Sequence, residues 1–470
     1  MSSAPLAQLA QLVPDAGRAW LVGGAVRDEL LGRSTLDYDV AVEGDARRLA
    51  RRLGRSCSAH SFALSETFGA WRVIAADQSW QVDLTPLTGE TLEQDLRRRD
   101  LTVNAIARPI GGDGPVGLID PAGGVADLHA RTLRMIAPDA FASDPLRTIR
   151  LARLAAELDF AAEPLTVATA AASAPGLAGV APERVFAELR QLIISERAPA
   201  GLALLDRIGA TAVVLPELSA LHGVEQSDYH HLDVYDHTIA TLRSAIELER
   251  DPAAVFGDEL GEQVAALLAE PLANELSRGG ALRLGALFHD IAKPVTRAVT
   301  DRGRVTFFGH DAAGAELAHA ILMRLRTSER LAGHVAALSR NHLRLGFLVH
   351  ERPVSRRDVY RYLARCEPVE VDVTVLSVAD RLATLGRNSE RAVELHLELA
   401  RELLADAFAW RRQRPRPPIR GDQLADALEL EPGPLLGQAL EELSEAAYAG
   451  EIDGPEQAIA HARAWIAAER

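Results

Sequence analysis

Lysine is almost missing from this chain. Lys293 is the single one in 470 residues, and arginine supplies nearly all of the 51 basic side chains. Cysteine is as scarce: Cys57 and Cys366 stand alone and far apart, which excludes a disulfide framework and makes a reducing compartment the default. Aromatic residues reach only 5%, so the cores must be built from Ala, Leu and Val, a composition that suits helices better than sheets. No apolar run of about 18 residues occurs, so no membrane-spanning helix is expected. Residues 1–14 lack a basic start followed by an apolar stretch, which argues against a secretory leader. A positive excess is missing too. The formal charge is −15, and neither the first 220 residues nor the remaining 250 are basic. A broadly basic nucleic-acid surface is thereby excluded, and any polyanion must be held by local arginine clusters.

What is present is ordinary for a globular protein, with 48% apolar and 25% charged residues. The length allows roughly two to four domains. The first 120 residues read as mixed α/β. Residues 19–23 form a short apolar run ending in glycine, 26–31 have helical spacing, and 37–42 alternate as a strand does. Residues 46–53 form a basic helix, and 71–76 with 80–84 a strand pair. From Leu96 onward the pattern is helical, as in 146–158, 182–194 and 201–208. A second helical unit runs from about His230 to Arg401. The basic, proline-rich stretch 411–418 reads as an extended linker, and 419–470 as a last helical module.

The segment Leu21-Val22-Gly23-Gly24-Ala25-Val26-Arg27-Asp28, followed by Asp37-Tyr38-Asp39, has the parts for phosphoryl transfer. Paired glycines after a strand let the backbone approach a triphosphate, and Arg27 can add charge-assisted bonds. Asp37 and Asp39, two apart on a strand, face the same side and can hold Mg²⁺. Either element alone is usually a turn or a solvated edge; their combination is what signals chemistry. Asp83, at a strand end, is either a third carboxylate near the metals or a strand-edge residue. Asp144, Arg147, Arg150 and Arg153 recur at three-residue spacing on one helix. Asp144 only accepts and Arg147 only donates, a pair suited to complementary edges of a base, or else to a solvated ion pair.

In its ordered motifs this chain resembles the bacterial-type (class II) tRNA nucleotidyltransferase and poly(A) polymerase family. The likeness spans residues 15–220. It rests on Gly23-Gly24-x-x-Arg27-Asp28, Asp37-x-Asp39, Arg98-Arg99-Asp100-Leu101-Thr102-Val103-Asn104-Ala105, Asp120-Pro121-x-Gly123-Gly124-x-x-Asp127-Leu128, Asp144-Pro145-Leu146-Arg147-x-x-Arg150-x-x-Arg153 and Glu183-Arg184-x-x-x-Glu188-Leu189. The resemblance implies catalytic Asp37 and Asp39. It also implies nucleotide contacts from Gly23, Gly24, Arg27, Arg99, Asp100, Asn104, Asp144, Arg147, Arg150 and Arg153. Two departures bear on base choice. Ser143 stands where the family usually has Glu, and residues 82–100 leave little room for the loop that CCA-adding relatives carry. Relatives that add only CC are similar in lacking it, so CC, CCA or A addition stays open at this point.

Farther along, His237, the pair His289-Asp290 and Asp380 form a mixed nitrogen and oxygen set suited to a divalent metal and an activated water. His289-Asp290-Ile291-Ala292-Lys293-Pro294 resembles the central motif of the HD phosphohydrolase superfamily, with His310 and His342 (or His334) placed where some members hold a second metal. Gly421-Asp422-Gln423-Leu424 and Gly450-Glu451-Ile452 resemble the tail that grips the tRNA body in relatives, and the arginines of 411–420 read either as phosphate contacts or as a solvated linker.

The expected protein is α+β: a small mixed-sheet nucleotidyltransferase head (1–138), a helical neck (139–225), an HD domain (226–405), and a linker with a helical tail (406–470). The expected activity is CC or CCA addition to tRNA from CTP and ATP in the cytoplasm, with Mg²⁺ in the head and a divalent metal in the HD domain. Two competing readings are a poly(A) polymerase of the same family and a phosphohydrolase whose head senses a nucleotide. Intact Asp37 and Asp39 speak against the second.

Overall fold

The computed structural model describes residues 4–15, 17–111, 117–226, 232–384 and 389–469. The chain divides into two compact units, Met1–Val214 and Leu215–Arg470.

The first unit opens on α1 (Ala4–Leu12) and a six-stranded sheet: β1 (Gly17–Val22), β2 (Asp37–Gly44), β3 (His60–Ser65), β4 (Ala70–Ile74), β5 (Gln81–Pro86) and β6 (Ala107–Pro109). The strand order is β3-β4-β5-β2-β1-β6, and only β2 and β5 run parallel. At the start of β2 the exposed Asp37 and Asp39 alternate with buried Tyr38 and Val40; beyond them Ala41, on the Asp39 face, is buried as well, with Trp20, Val22 and Leu96. Between the strands lie α2 (Gly24–Leu30) and α3 (Ala46–Ser56). In α3 the sequence ARRLARRLGRS buries Leu49, Ala50 and Leu53 and leaves most arginines outward, while Asp45 caps its start by accepting the Arg48 amide at 2.9 Å.

Sequence periodicity located β4 and β5 but not β3, whose residues are mostly exposed and give no alternating signal. Beyond the sheet come α4 (Leu92–Leu96), α5 (Gly124–His129), α6 (Ala140–Ser143), α7 (Arg147–Leu158), α8 (Pro164–Ser173) and α9 (Pro182–Ile194). Helices α7 and α9 pack against each other; α7 buries Ile149, Leu151 and Leu154, and α9 buries Val185, Leu189 and Leu192.

The second unit is helical apart from two pairs of strands two or three residues long. Its long helix Ser389–Arg412 runs through Arg411 and Arg412, so the extended segment expected at 411–418 starts two residues later. The helix stops where Pro415 forbids the helical conformation of the residue before it. Ile419, Leu424, Leu443, Ile452 and Ile466 then form the separate core of the last helices. His230, taken as the start of this unit, lies outside the described residues. No helix among the described residues is long and apolar enough to cross a membrane.

Candidate active site

The β1 strand ends at Gly23, whose φ of 71° is a left-handed conformation that glycine adopts without strain. A Cβ there would lie 2.7 Å from Arg99 Nη1 and 3.4 Å from Asp39 Oδ2. The glycine therefore lets the Arg99 guanidinium and the Asp39 carboxylate close onto the chain turn. Gly23, Gly24, Arg27, Asp39, Arg99, Asp100, Asn104, Asp144, Arg147, Arg150 and Arg153 all line one cavity of about 850 Å³. Asp37 is not among its lining residues, although β2 carries it on the Asp39 face.

Both carboxyls of β2 stay open to solvent, yet the protein packed behind them raises their pKa values, and the nearby charge of Asp83 raises them further. Crowded carboxylates of this kind favour a bound cation. Asp83 sits opposite Asp39 in the parallel register, and its two oxygens take a fork of bonds from Arg72, each 2.6 Å. Asp83 is thus paired with Arg72 while its charge still acts on the two carboxyls of β2.

A chain of ion pairs and hydrogen bonds ties the glycine turn to the neck. Arg27 donates to Asp28 at 3.0 Å and to Asn104 Oδ1 at 2.8 Å. Asn104 donates to Asp100 at 3.0 Å, and Asp100 meets Arg150 at 3.4 Å. Arg150 and Arg153 both end on Glu188, at 2.9 and 2.8 Å. Burial alone would raise the Asp100 pKa, but the Arg150 charge and bonds from Asn104 and the Leu101 amide outweigh it and hold the carboxyl below its ordinary value. Arg99 is held by Asp95 at 3.4 Å, and its buried Nε has no hydrogen-bond partner among the described residues, a donor available to an anion.

Two expected contacts differ from their sequence reading. Asp144 and Arg147 line the cavity, but Asp144 accepts from Arg184 at 3.0 Å. Arg147 donates to the carbonyls of Arg98, Arg99 and Ala140 at 2.9, 3.2 and 3.1 Å. Arg147 thus pins the segment bearing Arg99 to α7 as well as facing the cavity. Ser143 donates to the Ala140 carbonyl at 3.0 Å and lines the same wall. Sequence reasoning missed Arg72, Asp95 and Phe68 altogether. Arg72 and Phe68 reach the site through strand pairing and a hairpin tip, which nothing local marks, whereas Asp95 sits on α4 four residues before Arg99, a spacing that could have found it.

The second constellation is internally complete. The Nε2 of His237 lies 3.0 Å from Asp380, and that of His289 lies 3.2 Å from Asp290. The ligand atoms of His237, His289 and Asp380 all fall within 4.8 Å of one another, as do those of Asp290, His310 and His342. Asp290 touches both groups: one oxygen lies 3.2 Å from His289, the other 3.2 Å from His310.

His289, His310 and His342 each hold Nδ1 against a backbone carbonyl three residues back, at 2.9, 2.7 and 2.6 Å. That tautomer aims Nε2 inward, the arrangement of metal-ligating histidine. Among the described residues the buried Nε2 atoms of His289 and His310 make no hydrogen bond, which fits a set of metal ligands. Burial opposes the charge of Asp290, but His289 and Lys293 hold its carboxyl well below the usual range, while burial pushes His342 down to about 4. Lys293, the lone lysine, lies 2.6 Å from Asp290 and 2.6 Å from Gln226. Of the two alternatives for the extra histidine, His342 joins the group; His334 lies instead 3.6 Å from Asp372.

Three family models match the chain in order. The family described as "Poly A polymerase head domain" matches residues 19–134, "Probable RNA and SrmB- binding site of polymerase A" matches 159–221, and "HD domain" matches 234–385. An A-adding tRNA nucleotidyltransferase of Deinococcus radiodurans is 36% identical over 453 residues, covering 95% of each chain. A CC-adding tRNA nucleotidyltransferase of Thermus thermophilus is 36% identical over 456 residues, covering 95% of this chain and 93% of its own. A CCA-adding enzyme solved with ATP shares the fold at 18% identity, with a TM-score of 0.65 over 98% of this chain and 94% of that one. With the head, RNA-binding and HD regions matched in order and two relatives alike from end to end, the chain belongs to the tRNA nucleotidyltransferase and poly(A) polymerase family of enzymes, in the form that carries an HD domain.

Proposed function

We propose that this enzyme adds CC to the 3′ end of tRNA from CTP, in the cytoplasm, with Mg²⁺ on Asp37 and Asp39. The observation that carries the choice of CC is the connection from β5 to α4, only residues 87–91 long. Asp95 accepts the Thr88 amide at 2.9 Å and Gln94 the Glu90 amide at 2.8 Å, so the segment is folded down rather than extended as a loop. Family members that add only CC share this shortness.

In the reaction the tRNA 3′-hydroxyl attacks the α-phosphorus of CTP; a phosphodiester bond forms, the α–β anhydride breaks, and pyrophosphate leaves. Asp37 and Asp39 would hold the metal, which when bound supplies positive charge to the phosphates. Arg99, with its unpartnered Nε, and Arg27 bind and orient the triphosphate at the Gly23-Gly24 turn. Asp100 and Asn104 fix Arg27 and Arg150, to which Arg153 is joined through Glu188, while Asp144, Arg147 and Ser143 face the base.

The division into head (1–138), neck (139–225), HD domain (226–405) and tail (406–470) is supported by the matches at 19–134, 159–221 and 234–385. In the HD domain His237, His289, Asp290 and Asp380, with His310 and His342, would hold divalent metal for hydrolysis of phosphate esters. A second reading, addition of the terminal A, is favoured by the equal identity to the A-adding relative.

The test offers three tRNA transcripts, ending at the discriminator nucleotide, at C and at CC, with labelled CTP or ATP. The expected result is CMP incorporation into the first two and no AMP incorporation into the third. AMP added only to the CC-ended transcript would establish the A-adding reading, and completion through CCA would remove the argument from the short connection. Loss of incorporation in folded Asp39→Ala protein is required by either.

A further inference from the structure

Phe68 is 74% exposed, yet it lines the same cavity as Asp39, Gly23 and Arg99 and is the only aromatic residue to do so among the described residues. A singly exposed apolar side chain means little on an open surface, whereas an exposed ring at the mouth of a polar cavity is a surface made for a ligand. From this position we infer that Phe68 forms a second base subsite: a stacking platform for the nucleobase at the 3′ end of the acceptor RNA. The inference rests on the reading of the head as an RNA-extending site.

The ring is presented by built structure. Strands β3 and β4 form a hairpin with an irregularity between Ala63 and Ser65, and Phe68 lies at its tip. The Phe68 amide donates to Ser65 Oγ at 3.3 Å, and the Gly69 amide to the Glu66 carbonyl at 3.3 Å. Gly69 has φ +63°, and a Cβ there would press on Pro86 Cγ at 3.3 Å, so the tip is folded against the end of β5. Through β5, which carries Asp83 opposite Asp39, the hairpin belongs to the same sheet as the carboxylates.

The two sides of the cavity therefore differ in kind. The neck side offers Ser143, Asp144 and Arg147, whose donors and acceptors can read the edge of a base. The hairpin side offers a phenyl ring, which has neither and binds every base by its face. Stepwise extension needs this asymmetry. The incoming nucleotide must be selected, while the acceptor's last base changes with each tRNA and after each addition and so must be tolerated. Stacking of one base is worth roughly one to two orders of magnitude in affinity.

The test is steady-state CMP incorporation by the full-length enzyme with wild-type Phe68, Phe68→Ala and Phe68→Trp. Phe68→Ala is expected to raise KM for tRNA about 10- to 100-fold, with KM for CTP and kcat within about 3-fold. Phe68→Trp is expected to keep wild-type values. A tRNA with an abasic 3′-terminal nucleotide should lose the same factor on the wild type and nothing further on Phe68→Ala. A rise in KM for CTP alone would place the ring on the incoming nucleotide and overturn the inference. Equal abasic losses in wild type and Phe68→Ala, or failure of Phe68→Trp, would also overturn it. A wild type that extends no tRNA would refute the reaction and not the platform. Equilibrium binding of the normal and abasic tRNAs to wild type and Phe68→Ala then decides the platform by the same comparison.

Discussion

Asp39 answers two opposing demands. Its charge is needed to hold a cation, but the surrounding protein and the neighbouring Asp83 raise its pKa, and Asp37 is raised for similar reasons. A carboxyl whose folded pKa lies above its unfolded value costs stability wherever it is ionised. That cost is present in full above the folded pKa and is relieved as pH falls through it. Asp39→Asn should therefore abolish CMP incorporation and raise the urea midpoint of metal-free protein at pH 7. The gain should be on the order of 0.5 kcal/mol, allowing for screening of an open carboxylate. The wild type should recover part of the difference as pH is lowered toward 5. An unchanged or lower midpoint in the Asn variant would show that crowding does not strain the site. At this scale much was legible in the sequence, because Gly23-Gly24, Asp37-x-Asp39 and the arginines of 147–153 combine residue types whose chemistry needs no tertiary context. Arg72 and Phe68 reach the cavity or its residues only through a strand pair and a hairpin tip, and adjacency in sequence reports neither.

Among the elements, the tail helices show how a small separate core is attached. Arg357, on the helix Arg356–Cys366, reaches Glu442 at 2.9 Å, Glu445 at 3.1 Å and Glu451 at 2.7 Å. Beside it Trp410 packs edge to face with Tyr360, at 5.2 Å, and with Tyr448, while the two tyrosine rings are tilted to each other. Removing the guanidinium takes the shared cation from three carboxylates, leaving the His461 contact to Glu442 and the Arg361 contact to Glu445 among the described residues. Arg357→Ala is expected to cost about 2 kcal/mol of local stability. The readout is faster amide exchange in residues 421–466 with protection unchanged around His289. Arg357→Lys should restore only part, since an ammonium cannot fork between carboxylates. Uniform exchange across both regions would mean that the tail does not open on its own. The tail's helical nature was plain from its periodicity, but its anchor was not, because Arg357 and Glu442 are 85 residues apart. In the arginine-rich stretch, pairing at a distance gives Arg411 to Glu270 and Glu370 and Arg414 to Glu367, while Arg420 pairs locally with Asp422.

For the molecule as a whole, two acidic constellations lie in separate compact units, each with its own positioning groups. In the first, the glycine turn and α7 are joined by ion pairs that never leave residues 27–188. In the second, histidines on different helices converge on Asp290, and all the contacts of that carboxylate stay within residues 237–342. Sites that share no side chain and no hydrogen-bonded network usually respond to substitution independently. The two activities should therefore be separable. Asp39→Ala should lose incorporation by several orders of magnitude and leave divalent-metal-dependent hydrolysis of bis(p-nitrophenyl) phosphate within about 3-fold of wild type. Asp290→Ala should do the reverse, since it deprives both histidine groups of their shared carboxylate and leaves Lys293 without its partner at 2.6 Å. Because that change uncovers a buried lysine, Asp290→Ala also needs its folding checked; Asp290→Asn, which keeps the volume and one acceptor, gives the same kinetic answer with less disturbance. If either single change removed both activities in folded protein, the units would have to be coupled, and the HD centre would then be part of the transfer reaction and not a second chemistry beside it.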